Sequence, residues 1–271
     1  MTEYSAVNNS LRFIGTATVL LRYGALTILT DPNFLHAGDH AHIGYGLTAK
    51  RLTDPACELA ELPLLDFVLL SHYHGDHFDQ VVERELDKRT PILTTPHAAK
   101  KLQRHGFSQA RGLRRWEGVS VEKEGTSVTI RAMPATHGPG PVGLVLPPVM
   151  GSLLDFRANG ERLRLYISGD TLIHEDLREI PRRFPEIDLA LLHLGGTRVL
   201  GIMVTMDGKQ GVRALKIIAP RVAIPIHFDD YDRFKSPLSD FERAVAAAGL
   251  ASRVTYVARG ETMALRGVSS P

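Results

Sequence analysis

Apolar and polar positions along the chain fall into two alternating regimes. Short β-branched and leucine-rich runs come first, at 18–24 (TVLLRYG) and 25–31 (ALTILTD), joined tightly at Tyr23-Gly24 in the manner of a hairpin. A polar, glycine-rich loop follows at 36–46. Residues 66–71 (DFVLLS) form a nearly continuous apolar run, the pattern of a strand buried on both faces. Asp79 caps a predicted helix over 80–89, residues 91–95 read as a strand, and a second helix over 97–106 ends at Gly106, a C′ position.

The middle of the chain turns to strands, predicted at 119–137, 142–146 and 163–170. After Asp170, helices near 175–183, 207–218 and 238–248 alternate with strands at 188–194, 221–227 and 253–258. Strands, helices, strands, helices with no linker between the halves predict an α/β architecture of two packed sheets with helices on both outer faces. No short-period repeat or low-complexity segment interrupts residues 1–271, which read as one domain.

Composition narrows the classes. With 44% hydrophobic and 23% charged residues the chain is ordinary globular protein, and its formal net charge is +2. The nearest approach to a basic block, RGLRR at 111–115, reads as a solvated turn, so no nucleic-acid partner is expected. A single cysteine, Cys57, excludes an internal disulfide framework and suggests a reducing compartment. The first fifteen residues lack the basic start and apolar core of a signal peptide. The longest apolar stretch, 141–154, is too short and too broken by proline to span a bilayer. A cytoplasmic protein with no transmembrane segment is the expectation.

Residues 69–79, LLSHYHGDHFD, then change the picture. His72, His74, Asp76 and His77 fall within six residues, directly after a buried strand. In extended chain an i, i+2 pair points the same way, so His72 and His74 can grip one ion. A turn at Gly75 would swing Asp76 and His77 towards a second. Imidazole with carboxylate suits Zn²⁺, and also Fe or Mn. Three further strand ends carry ligand-type side chains: His137 closes RAMPATH, Asp170 closes LYISGD and His227 closes VAIPIH. That distribution is what a site built along one edge of a sandwich requires.

With these residues in place the chain resembles the metallo-β-lactamase-fold hydrolases, from GTATVLL at 15–21 to IPIHFDDYD at 224–232. Within them it looks most like the branch containing L-ascorbate-6-phosphate lactonase-like proteins and N-acyl-phosphatidylethanolamine phospholipase D. TDP at 30–32, LPLLDFVLLSH at 62–72 and PIHF at 225–228 carry that likeness. The resemblance implies a four-layer αββα sandwich. It assigns His72, His74 and His137 to a first ion and Asp76, His77 and His227 to a second, with Asp170 as bridge. The implied cofactors are two divalent metal ions, zinc first, with manganese or iron also fitting. The implied reaction is hydrolysis of a lactone or phosphodiester by a metal-bridging hydroxide, with Asp76 and Asp170 orienting or relaying protons. His74, where an oxygen-reducing iron relative would carry glutamate, favours hydrolysis. Two alternatives stay open: a mononuclear-iron oxidoreductase resembling the sulfur dioxygenases, which share H-x-H-x-D-H, and a non-catalytic metal-binding protein. No G-x-S-x-G suggests a serine nucleophile.

Other residues carry weaker expectations. Asp31 either orients a ligand imidazole or merely starts an Asp-Pro turn. His174, four residues after Asp170, and His193, which interrupts an apolar strand, are candidates to touch substrate. His36, His40 and His42 share a loop and are expected to be exposed, while His97 and His105 belong to a helix. The apolar segment 141–156 reads as a lengthened hairpin whose tip folds onto the protein. Alternatively it forms a lip beside the metals, with Met150 at its heart, receiving an acyl or apolar part of a small-molecule substrate or a neighbouring subunit of a homo-oligomer.

Overall fold

A computed structural model of the chain describes residues 9–44 and 46–269. The signal-peptide reading of the N-terminus rests largely on residues 1–8, which lie outside the described residues. The first sheet opens with β1 (Asn9–Gly15), β2 (Thr18–Tyr23) and β3 (Leu26–Thr30), an antiparallel meander, and continues parallel through β4 (Phe67–Leu69), β5 (Ile92–Thr94) and β6 (Ala110–Gly112). The second sheet begins with the antiparallel strands β7 (Gly118–Lys123), β8 (Thr126–Met133), β9 (Gly151–Ala158) and β10 (Glu161–Ile167). It continues parallel through β11 (Leu189–His193) and β12 (Val222–Ile226). Near the end of the chain β13 (Thr262–Ala264) returns to the free edge of β1.

Alternation along the strands explains the layering. Phe67 and Leu69 of β4, with Leu189 and Leu191 of β11, enter the core between the sheets. Val68 and Leu70 point the other way, under α1 (Gln80–Glu85) and α2 (Pro96–Arg104). Ala190 and Leu192 likewise face the helical layer of the second sheet. Strands sandwiched between apolar layers on both sides need apolar residues at every position, which is why these runs do not alternate with polar ones. The expected four-layer αββα sandwich is therefore the fold. Among the described residues no helix is long and apolar enough to cross a membrane.

Two expected strands are absent. Residues 142–146 lie in α3 (Gly140–Val145) and its cap rather than in a ladder. Pro141 has no N–H for sheet pairing but fits a first helical turn, and Pro147-Pro148 stops the helix just beyond. The strand of this region is β9, whose Gly151 pairs with Met133. Met150 is buried in the core between the sheets, so it belongs to no lip. Residues 253–258 touch the sheet at one point, the bridge between Val254 and Ala223, because a 3-10 turn at Ala251–Arg253 delivers the chain late to the edge of β12.

After α3 come α4 (Glu179–Arg183), α5 (Gly208–Ile218) and α6 (Leu238–Ala247), which cover the second sheet. On the first sheet, the Asp79 carboxylate accepts the Val82 N–H at the start of α1 and the Phe34 and Leu35 N–H groups of the preceding loop. All of this is buried. Asp79→Ala strands three amides away from water and is expected to lower the unfolding free energy by about 2–4 kcal/mol in urea titrations. Asp79→Asn should recover part of it.

Candidate metal centre

Strand C-termini converge at one edge of the sandwich. The loop after β4 supplies His72, His74, Asp76 and His77; the ends of β8, β10 and β12 supply His137, Asp170 and His227. Glycines allow two of the turns. A Cβ on Gly75 would lie 2.6 Å from the His42 backbone nitrogen, and one on Gly169 would lie 2.6 Å from the Met150 carbonyl. Thr136 and Thr171 stitch two strand ends together: Thr136 N–H donates to Thr171 Oγ1 at 2.9 Å and Leu172 N–H to the Thr136 carbonyl at 2.9 Å. His227 carries a left-handed φ of 61° and donates its N–H to the Thr16 carbonyl at 2.6 Å. A β-region imidazole would avoid that conformation, and its local cost is borne where it aims a functional side chain.

All seven candidate ligands meet. Ligating atoms of His72, His74 and His137 lie within 4.8 Å of one another, and those of Asp76, His77, Asp170 and His227 form a second such group. Neighbouring groups set the tautomers. His137 Nδ1–H donates to the Val204 carbonyl at 3.0 Å and His227 Nδ1–H to the Leu194 carbonyl at 3.1 Å, so each turns a bare Nε2 inward. Ser71 Oγ–H donates to Asp31 Oδ1 at 2.9 Å and accepts His72 Nδ1–H at 3.0 Å. His72 Nε2, left bare by that bond, faces His74 Nδ1 at 3.1 Å.

The remaining polar atoms point to the same chemistry. Among the described residues His74 Nε2, Asp76 Oδ1, His77 Nε2 and His227 Nε2 are buried without a hydrogen-bond partner. Such orphans are costly in a protein interior and are explained by ions they would hold. Burial, with the neighbouring imidazoles, holds His72 well below the ordinary histidine range and brings His74 to about 3. Burial also lowers His137. These three are neutral imidazoles, ready to donate lone pairs. Asp76 and Asp170 run the other way: burial opposes ionisation, but His77 and His227 keep both carboxyls below their usual range and so anionic. The residues fit divalent ions.

Asp31, Ser71 and Thr205 form the surround. Asp31 accepts the Ser71 N–H at 2.7 Å and stands 3.6 Å from His77 Nδ1, the orienting position rather than a bare turn. Thr205 Oγ1–H donates to Asp170 Oδ2 at 2.9 Å. His193 is fully buried; its Nδ1–H donates to Asp170 Oδ1 at 3.1 Å, and it is not on the cavity wall. His174 lines a separate cavity with Arg115, Met133 and Asp176, because the chain crosses to that side at Leu172. His36 pairs with Asp54 and Glu58, and His105 with Glu83. Sequence reading missed Ser71, Thr205 and the roof of the site. A serine directly before His72 was the available signal for Ser71, whereas no ligand position adjoins Thr205 in the chain.

That roof consists of two hairpins. Ile43, Leu47 and Ala49 come from the pair 40–42/48–50, and Val199 with Val204 from the region of 198–199/202–203. With Leu146, Arg233 and Phe234 they close a cavity of about 30 Å³ over His74, Asp76, His137 and Asp170. A larger groove of about 600 Å³, lined by Tyr73, His97, Lys101, Val145 and Pro147, shares His74 and Leu146 with it. The apolar segment 141–156, for which a lip was the alternative to a hairpin, borders the site through Leu146.

The chain is similar to known proteins over most of its length. A family described as a Beta-lactamase superfamily domain matches residues 27–228. A UPF0173 metal-dependent hydrolase of Pelotomaculum thermopropionicum is 30% identical over 208 residues, 76% of this chain and 85% of its own length. Its counterpart in Archaeoglobus fulgidus is 26% identical over 262 residues, 93% and 97% of the two chains. Among solved structures, a possible metal-dependent hydrolase from Veillonella parvula superposes with a TM-score of 0.80 at 22% identity, covering 95% of this chain and 99% of the other. An isothiocyanate hydrolase from Delia radicum gut bacteria gives 0.77 at 22% identity, covering 94% and 98%.

Proposed function

Since the chain belongs to the β-lactamase superfamily and is a metal-dependent hydrolase of that fold, we propose that it works as a single domain with two divalent ions, on a small lactone or phosphodiester substrate. His72, His74 and His137 would hold one ion, and Asp76, His77, Asp170 and His227 the other. The observation that carries this reading is the pair of ligand groups sharing one cavity wall. Paired divalent cations, when bound, supply an activated water at neutral pH and an electrophilic pull on a carbonyl or phosphoryl oxygen.

The chain's own groups do the rest. Asp31 and Ser71 fix the imidazole of His72. Thr205 and His193 spend lone pairs of Asp170 on its outer side, which fixes the carboxylate's orientation. Asp76 Oδ1 has no protein partner and would face an ion, and the hairpin roof excludes bulk water. We assign His193 to positioning rather than to substrate contact. A second ligand group as complete as the first favours two ions over a lone iron, and ionised Asp76 in a walled cavity favours catalysis over storage.

Elemental analysis of metal-loaded protein, with turnover of bis-p-nitrophenyl phosphate and simple lactones, tests this. Two Zn or Mn per chain with hydrolysis of one class is expected. One Fe per chain and no hydrolysis overturns it.

A further inference from the structure

The groove of about 600 Å³ reaches the ligand groups directly, at His74. Its volume suits a small organic molecule, whereas the cavity of about 30 Å³ holds a water or two. One wall is α2. Thr95 caps that helix by accepting the Ala98 N–H at 3.1 Å, and Ala98, Ala99 and Leu102 are its buried positions. His97 and Lys101, four residues apart, share an exposed face that borders the groove. Another wall is apolar, with Leu146, Pro147 and Pro148. It is fixed beside the ligand loop where Met150 N–H donates to the Ser71 carbonyl at 3.1 Å.

Charge is distributed unevenly along these walls. Glu83 is the one carboxylate lining the groove among the described residues, and both its oxygens are taken. Tyr73, which stands between two ligands in the chain, donates its hydroxyl to Glu83 Oε2 at 2.7 Å, and His105 Nδ1 meets Oε1 at 2.5 Å. The Lys101 ammonium lies 4.3 Å from the centre of the Tyr73 ring. Among the described residues it has no carboxylate and no hydrogen-bond acceptor, so its three donors are left for an occupant of the groove. The tyrosine ring and the proline wall beside them suit apolar or aromatic matter.

We propose that this groove receives the substrate, a molecule whose apolar or aromatic body ends in an anionic group, and that Lys101 is the specificity-determining residue that holds that group. The body lies against Tyr73 and the wall at 146–148, and the reacting end meets the ligands past His74. That the occupant is a substrate rests on the hydrolase reading; its chemistry does not.

Calorimetric titration of metal-loaded full-length protein with phenylbutanesulfonate, phenylbutanol and methanesulfonate tests this in wild type, Lys101→Met and Lys101→Arg. A sulfonate is a poor metal ligand, so its binding reports the lysine rather than the ions. Wild type is expected to prefer phenylbutanesulfonate to the alcohol, and to bind methanesulfonate, which lacks the body, about tenfold or more weakly. Lys101→Met should weaken phenylbutanesulfonate about fivefold and leave the alcohol unchanged. Lys101→Arg keeps the charge and should keep the preference. Added salt should weaken the sulfonate in wild type but not in Lys101→Met. The same ratio of sulfonate to alcohol affinity in wild type and Lys101→Met overturns the proposal, as does equal binding of the two sulfonates or no binding of any probe. Turnover of bis-p-nitrophenyl phosphate and simple lactones by the same samples separates the two readings. Metal-loaded protein that hydrolyses neither sinks the hydrolase reading and leaves the groove's preference standing, whereas active protein indifferent to Lys101 sinks only this one.

Discussion

Alanine at His137 is expected to halve the metal content of saturated protein and to reduce hydrolysis by about a thousandfold or more. His137 contributes one of three imidazoles in its group, and its Nε2 is aimed by the bond from Nδ1–H to the Val204 carbonyl. Without it two neutral imidazoles remain, too few for a closed site. Electrophilic activation by an ion is worth several kcal/mol, and about 4 kcal/mol corresponds to a thousandfold in rate. His227→Ala leaves Asp76, His77 and Asp170, three of four. It should therefore lower affinity for the other ion and lose activity that excess metal partly restores. Elemental analysis with a metal titration of activity reads both variants. Full metal content and near wild-type rates in His137→Ala would remove the basis of the paired site.

Arg51→Met carries the largest expected effect on stability, a loss of about 3 kcal/mol or more in unfolding free energy. The guanidinium is wholly buried, a rare state for arginine. It donates to Thr16 Oγ1 at 2.6 Å, to Asn33 Oδ1 and to the Thr53 carbonyl at 2.8 Å, and it stands 3.7 Å from Asp230 Oδ1. Methionine fills similar space but takes the donor from Thr16 Oγ1 and the Thr53 carbonyl around a buried carboxylate, while Asn33 Oδ1 keeps the Tyr231 hydroxyl at 2.9 Å. Arg259 still reaches Asp230 at 2.6 Å, which places the loss near the low end of what a broken buried pair costs. Arg51→Met with Asp230→Asn should recover part of it, because the uncompensated charge is then gone. Thermal and urea unfolding of the three proteins measure this; a loss below about 1 kcal/mol for the single variant contradicts it. The same network underlies His227 through Thr16, so metal affinity should fall together with stability.

How much could be read from the chain depended on whether the relevant information was local. The ligand cluster was legible because H-x-H-x-D-H sits in one short loop after a strand with apolar residues on both faces. His137, Asp170 and His227 were legible because each ends a strand whose pattern is unambiguous. The strand expected at 142–146 failed for a local reason passed over, since Pro141 denies the ladder an N–H while suiting a helix start. The roof was hidden for a different reason. Residues 40–50 look like a polar loop because their three-residue strands are too short to show a period, and their pairing is decided by Gly75 and the 229–234 segment far away in sequence. His174 illustrates the limit of proximity along the chain: four residues from Asp170, it faces another cavity.

One feature of the ligand geometry bears on how the protein could be taken apart. His72, His74, Asp76 and His77 hang from the first sheet, while His137, Asp170 and His227 hang from the second. Neither half alone owns a full coordination set for either ion. Cut between the exposed Arg114 and Arg115, the two fragments should each be metal-blind, and zinc or manganese should act as the clasp that rejoins them. Recovered turnover on mixing would then report reassembly directly.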